Sequence, residues 1–81
     1  MTVHVRYFAA AREAAGTDSE RIDLEAGATI TGLLDALRRR HPALVPLAGT
    51  LRFAIGERFV PAETALSDGD TVVLIPPVSG G

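Results

Sequence analysis

The sequence predicts an α+β domain in which one main helix packs across a mixed sheet of about five strands. Short segments of alternating or β-branched apolar residues recur along the chain, and one longer segment has the apolar spacing of an amphipathic helix. These segments follow in the order strand, strand, helix, strand, strand, strand. With 81 residues, no internal repeat and no second core, we expect one domain.

The first two strands are predicted to form a hairpin around a short helical turn. Residues 2–8 alternate apolar and polar side chains, as a half-buried strand does. The Ala-rich stretch 9–15 should form the helical turn and end at Gly16, because glycine accepts the left-handed backbone of a helix C-cap. Residues 20–25 alternate again, which indicates the second strand.

The main helix is predicted to begin after Thr29, since a threonine side chain commonly caps a helix N-terminus. Its apolar face has the i, i+3, i+4, i+7 spacing: Ile30, Leu33, Leu34 and Leu37. The arginines at 38–40 are favourable near the negative, C-terminal end of the helix dipole, and Pro42 prevents the helix from continuing. The dipole and solubility are the favoured explanation of this arginine run, and a docking patch for an acidic partner is the alternative.

The second half of the chain predicts three more strands. Segments 51–55 and 58–60 flank a tight turn, and the β-branched segment 71–75 follows a turn at 67–70. Three apolar residues of the connection 43–50 are expected beneath the sheet: Leu44, Val45 and Leu47. With a crossover helix and a last strand beside the first, residues 1–75 describe a ubiquitin-like β-grasp domain.

Composition excludes several functions. The formal net charge of -2 gives no electrostatic reason to expect nucleic acid as a partner. No apolar run approaches the length of a membrane span, so we expect no membrane association and a cytoplasmic location. The absence of cysteine excludes catalytic thiols and side-chain persulfides. Because all eight basic residues are arginine, a phosphate-binding lysine is also excluded, and we expect no cofactor bound by this chain.

No side-chain cluster predicts a catalytic or metal site. His4 and His41 stand in a strand and at a helix end, without the spacing of metal ligands. Asp68 and Asp70 are explained as turn formers, and no serine lies in a nucleophile-elbow sequence.

The remaining candidate is the C-terminal tail, residues 76–81. Pro76 and Pro77 cannot donate to a strand ladder, so the tail is predicted to project flexibly from the sheet. Gly80 and Gly81 have no side chains, which lets the backbone enter a narrow tunnel in another protein. The Gly81 carboxylate is inert until activated, most economically as an acyl-adenylate. We therefore predict that Gly80 and Gly81 are the reactive end.

The partner is predicted to contact the tail base and the sheet. The tail residues assigned to this contact are Pro76, Pro77, Val78 and Ser79. Strand alternation puts the apolar side chains of Phe8, Val73 and Ile75 on the face away from the helix, where apolar groups need cover. Phe59, beside the tight turn, extends this patch. A partner would cover it; loops or the chain's own tail are the alternative.

Motifs along the whole chain carry a family resemblance. They are Val5-Arg6-Tyr7-Phe8-Ala9, Arg12-Glu13, Gly16, Gly27-Ala28-Thr29, Leu33-Leu34, His41-Pro42, Asp68-Gly69-Asp70 and the ending Pro76-Pro77-Val78-Ser79-Gly80-Gly81. Together they resemble the small, sulfur-carrying subunit of molybdopterin synthase. The ending is the most specific part, since thiamine-type carriers are usually shorter and lack the double proline. The sequence departs from that family at Gly56, where asparagine is common.

The resemblance implies a recycled co-substrate that is not catalytic alone. An E1-like adenylyltransferase would use Mg-ATP to adenylate Gly81, and a sulfur donor, a sulfurtransferase, would allow conversion to a thiocarboxylate. The large, catalytic subunit of molybdopterin synthase would accept the tail within a heterotetramer. Sulfur would pass to cyclic pyranopterin monophosphate in molybdenum cofactor biosynthesis.

Other functions stay open on the sequence. The chain could serve as a sulfur carrier for thiamine, tRNA thiolation or cysteine synthesis. It could be a ubiquitin-like modifier joined through Gly81 to target lysines, although without lysine it cannot form lysine-linked polymers of itself. The last alternative is a non-catalytic interaction module with an accidental Gly-Gly ending.

Overall fold

The computed structural model describes residues 1–77, and in them five strands form one mixed sheet. The strands are β1 (Thr2–Tyr7), β2 (Ser19–Asp23), β3 (Arg52–Ile55), β4 (Arg58–Val60) and β5 (Thr71–Ile75); the helices are α1 (Ala9–Ala15) and α2 (Ile30–Arg40), with a 3₁₀ segment at Pro42–Thr50. The sheet order is β2-β1-β5-β3-β4, with β1 and β5 parallel. The predicted β-grasp architecture is confirmed.

Local signals set both helix boundaries as predicted. The Thr29 side chain accepts a hydrogen bond from the Gly32 N–H at the start of α2. Gly16 has a φ of 75° at the end of α1, where its N–H donates to the Arg12 carbonyl. Only glycine adopts this left-handed conformation without steric cost, so α1 ends there.

The core lies between the sheet and α2. Nine apolar side chains in the core are at most 1% exposed: Val3, Val5, Ala11, Ile30, Leu33, Leu37, Leu44, Val72 and Leu74. The predicted facing of β1 and β5 is therefore confirmed. The expectation for Val45 was wrong, because it is 53% exposed. In the tight 3₁₀ segment consecutive side chains point in different directions, so Leu44 enters the core and Val45 does not.

Two turns hold the strands in register. Gly56 and Glu57 have φ values of 57° and 66°, the two positive angles of a type I′ hairpin turn between β3 and β4. Before β5, the Asp68 carboxylate accepts a hydrogen bond from the Thr2 N–H at 2.8 Å, and the Asp70 carboxylate accepts one from the Ser67 N–H at 2.8 Å. These aspartates therefore fix the start of β5 beside β1, as turn formers.

No helix within residues 1–77 combines the length and the apolar character that crossing a bilayer requires.

Candidate functional site

The sheet face turned away from α2, called the open face here, carries an apolar patch bordered by arginines. Backbone register places Arg6 opposite Val73, Val73 opposite Ala54 and Ala54 opposite Phe59, so these four side chains form one row across the sheet. Phe59 is 66% exposed. We call Phe8, Val73, Ile75 and Phe59 the open-face patch; the sequence predicted its members, and the register joins Phe59 to it.

Phe8 lies at the end of β1, where the chain enters α1. Its side chain is 45% exposed, and the Arg6 guanidinium carbon lies 5.7 Å from the centroid of its ring. A guanidinium at this distance is attracted by the face of the ring, which holds both side chains against the sheet surface. Phe8 therefore presents a supported aromatic surface.

The tail begins at the same end of the sheet. Ile75 pairs with Arg52, and Pro76 and Pro77 follow without regular secondary structure, so the predicted end of the strand at residue 75 agrees with the described residues. A groove of about 380 Å³ lies next to Arg52, between it and Phe59. The predicted contacts of Val78 and Ser79, and the reactive role of Gly80 and Gly81, concern positions outside the described residues.

A polar cluster that the sequence analysis missed lies where β1, β2 and the end of α2 meet. The Tyr7 hydroxyl donates to Glu20 Oε1 at 2.5 Å, and His41 Nε2 lies 2.7 Å from the same oxygen. Arg40 Nε lies 3.9 Å from Glu20 Oε2, and the Tyr7 and His41 rings meet edge to face at 6.0 Å. The cluster ties the helix end to the β1–β2 hairpin.

The environment shifts the pKa values of two members. Burial, then the hydrogen bond to Glu20, raises the pKa of Tyr7, so its hydroxyl remains a donor. Burial alone would raise the pKa of Glu20, but hydrogen bonds from Tyr7 and His41 together lower it below its usual value. Glu20 is therefore ionised at neutral pH. Its negative charge lies next to the Tyr7 hydroxyl, the His41 ring and the Arg40 guanidinium.

The alternation of residues in β2 could have predicted this cluster from the sequence. Glu20 has the same strand parity as Ile22 and Leu24, so it points toward the helix side of the sheet, as Tyr7 does in β1. A carboxylate on that face needs donors when it is partly buried. His41, directly after the helix, was the available partner.

Replacing Glu20 with alanine is expected to lower the free energy of unfolding by about 1–3 kcal/mol, because the Tyr7 hydroxyl loses its acceptor. The fold lowers the pKa of Glu20, so ionised Glu20 stabilises the folded state. This stabilisation is complete at pH values above the usual carboxyl pKa of 4.5, and it is lost as the pH falls through the lowered pKa of the folded protein. Urea unfolding at about pH 7 and about pH 3 should show a smaller difference from wild type in acid.

The control for this comparison is Glu13→Ala, which removes an exposed carboxylate from α1. It should change stability by no more than about 0.5 kcal/mol. A loss equal to that of Glu20→Ala, or a Glu20→Ala effect independent of pH, would contradict the assigned role.

Metal ligation finds no support in the described geometry. Across residues 1–77, no three His, Cys, Asp or Glu side chains come together as a set that could hold an ion. His4 lies exposed on the open face, and His41 belongs to the polar cluster.

The sheet order and the helix packed across it define a ubiquitin-like β-grasp protein. A model described as the ThiS family matches residues 5–81. The molybdopterin synthase sulfur carrier subunit of Chlamydomonas reinhardtii is 41% identical to the chain, and the match covers 100% of both. The chain therefore belongs to the ThiS family and, within it, to the molybdopterin synthase sulfur carrier subunits.

Solved structures agree with this family. SAMP1, small archaeal modifier protein 1, from Haloferax volcanii has a TM-score of 0.89 and 30% identity, with 100% of both chains covered. A chain in the complex of subunits 1 and 2 of molybdopterin-converting factor from Helicobacter pylori has a TM-score of 0.70 and 27% identity, again with 100% of both chains covered. The fold thus occurs both in a named modifier and in a two-subunit assembly.

Proposed function

We propose that this chain carries sulfur for molybdopterin synthase as a thiocarboxylate on Gly81. The observation that carries the proposal is the full-length match to named sulfur carrier subunits, in a chain that ends with Gly80 and Gly81. The chain lacks cysteine, so no side chain offers a thiol to carry the sulfur as a persulfide. The C-terminal carboxylate is the group that remains.

The proposed chemistry has two activation steps. An E1-like adenylyltransferase joins the Gly81 carboxylate to the AMP part of Mg-ATP and releases pyrophosphate. Hydrosulfide from a sulfur donor then attacks the acyl carbon and displaces AMP, which leaves a thiocarboxylate and releases a proton. The nucleotide is bound by the activating enzyme, and the reaction takes place in the cytoplasm.

The transfer step follows at the large subunit of molybdopterin synthase. The thiocarboxylate sulfur attacks a carbon of cyclic pyranopterin monophosphate and displaces an oxygen substituent, which leaves with the electron pair of the broken carbon–oxygen bond. Water then hydrolyses the resulting acyl–sulfur bond. This leaves sulfur on the pterin and restores the Gly81 carboxylate, so the carrier can be used again. In this scheme the large subunit supplies the catalytic side chains.

The open-face patch is the proposed docking surface for the large subunit. Exposed Phe8 and Phe59 and half-buried Ile75 supply apolar area, and Arg6 and Arg52 border it. Pro76 and Pro77 leave the sheet beside Arg52, so a partner on this face would also meet the tail. The two-subunit complex from Helicobacter pylori supports such an assembly.

Intact mass spectrometry tests the proposed function. Protein purified without reducing agent from its native host should include a species heavier by the mass difference between one sulfur and one oxygen atom. Fragmentation should locate the added mass at Gly81, because only an activated carboxyl group exchanges its oxygen for sulfur. If only the unmodified mass occurs in cells that make molybdenum cofactor, the proposal is wrong.

A protein modifier is the second candidate, favoured by the similarity to SAMP1 at a TM-score of 0.89. The same adenylate would then be attacked by a target lysine amine instead of hydrosulfide. The two functions are distinguished in cell extract. High-mass conjugates that resist dithiothreitol and contain the Gly81 carboxyl group in an isopeptide bond would support the modifier.

A further inference from the structure

A groove runs between the outer edge of β2 and α2, on the side of the sheet opposite β4. Its volume is about 510 Å³. The residues that line it are Arg21, Ile22, Asp23, Ala36, Arg39 and Arg40. We call it the edge groove. Ile22 is 4% exposed and gives it an apolar floor, while all three arginine side chains are exposed around it.

The β2 edge in this groove has backbone groups available for another strand. The Leu24 N–H donates to the Met1 carbonyl and the Tyr7 N–H donates to the Asp18 carbonyl, both at 2.8 Å. These two bonds identify the β2 residues whose backbone groups pair with β1. In an antiparallel pair, the backbone N–H and C=O groups of successive residues point alternately toward the partner strand and away from it. The N–H and C=O groups of Arg21 and Asp23 therefore point away from β1. In residues 1–77 no backbone hydrogen bond outside the sheet ladder uses them.

The charge of the groove is opposite to that of the whole chain. The formal net charge is -2, yet three arginines line this groove. Among the described residues, neither Arg21 nor Arg39 has a carboxylate within 4.0 Å, and Arg40 reaches Glu20 only at 3.9 Å. By contrast, Arg38 is paired with Asp35. The Asp23 carboxylate accepts a hydrogen bond from the Thr2 hydroxyl at 2.7 Å.

The Asp23 end of the edge groove is remote from the point where the tail begins. Asp23 pairs with Thr2 at the start of β1, whereas Leu74 pairs with Tyr7 at the end of β1, and Ile75 follows it. Since β1 and β5 are parallel, the Asp23 end of the groove and the start of the tail are at opposite ends of the sheet. A segment bound at the Asp23 end would therefore lie away from the start of the tail at Pro76.

We propose that the edge groove binds an extended acidic segment of a protein partner, which adds to the sheet as a strand beside β2. Main-chain hydrogen bonds to Arg21 and Asp23 would supply part of the affinity, and apolar side chains of the segment would meet Ile22 and Ala36. Its carboxylates would project from the other face of the added strand, where Arg21 lies opposite His4, and Arg39 and Arg40 on α2 would add a longer-range attraction. This second attachment point goes beyond the proposed function and does not depend on sulfur chemistry.

The experiment uses the full chain and a fluorescein-labelled octapeptide of alternating valine and aspartate as the probe. Binding measured by fluorescence anisotropy should be saturable and should weaken with added salt. Arg21→Glu is expected to weaken it about tenfold, since it replaces a direct attraction with a repulsion, and Arg39→Glu about threefold, since Arg39 acts from the helix side of the groove. Arg58→Glu, at the other sheet edge on β4, is the matched control and should change it less than about twofold.

Two further measurements separate strand addition from simple charge attraction. An octapeptide with alternate backbone nitrogens methylated keeps its carboxylates but cannot complete the ladder, so it should bind at least about tenfold more weakly. In amide NMR spectra of the chain, the valine–aspartate peptide should shift the signals of Arg21 and Asp23 more than those of β4.

Each contrary result overturns the proposal. These results are absence of saturable binding, equal weakening by Arg58→Glu, equal binding of the methylated peptide, or shifts centred on the open face. Sedimentation of the chain alone tests whether a second copy of the chain occupies the edge groove instead. A dimer that Arg39→Glu dissociates would show that a second copy, rather than an acidic segment, fills the edge groove.

Discussion

An alanine added after Gly81 is expected to reduce molybdopterin formation by at least about a hundredfold. The added residue moves the carboxylate away from the position from which it would attack the α-phosphate of ATP in the activating enzyme, and its methyl group must enter a path suited to glycine. Misplacement of a reacting group by even about 1 Å can cost about a hundredfold in rate. The measurement is reconstituted molybdopterin synthesis with the activating enzyme, sulfur donor and large subunit.

Gly49→Ala provides the matched control for this extension. It adds the same methyl group at an exposed glycine where a Cβ would meet no atom within 4 Å. Its activity should equal that of wild type. If the extended chain also retained wild-type activity, the Gly81 carboxylate could not be the group that carries sulfur, and the interaction-module alternative would gain support.

The elements that the sequence predicted best are those whose signals are local. Thr29 caps α2 through a hydrogen bond to Gly32, three residues away, and Gly16 ends α1 through its own backbone conformation. Strand parity similarly assigned Phe8 and Val73 to the face away from the helix, and the residues of opposite parity, among them Val3 and Val72, are buried in the core. Such signals act within a few residues, so reading the chain in order is enough to find them.

The features that the sequence analysis missed depend on contacts between distant segments. Glu20 meets Tyr7 across 13 positions and His41 across 21, so neither contact follows from spacing along the chain. Val45 was placed wrongly because its apolar character was considered without the 3₁₀ geometry that turns it outward. Phe59 was assigned to the open-face patch from the sequence, and the strand register supplied its place in one row with Val73.

Phe8→Asp and Ile75→Asp are each expected to weaken binding to the large synthase subunit by about 30-fold or more. Aromatic and aliphatic side chains at the centre of an interface commonly contribute 2 kcal/mol or more, about 30-fold in affinity, and a carboxylate there must also be desolvated. Phe8 is 45% exposed, so its substitution should leave the fold intact. Ile75 is half-buried, and its variant therefore needs a parallel thermal unfolding measurement.

Val45→Asp is the control that shows whether binding depends on the open-face patch or on any exposed apolar side chain. Val45 is 53% exposed, comparable to Phe8, but it lies in the 3₁₀ segment and not on the open face. Isothermal titration against the purified large subunit should give wild-type affinity for Val45→Asp. Equal losses for Val45→Asp and Phe8→Asp would mean that the partner does not recognise the open face, and docking would then have to rely on the tail.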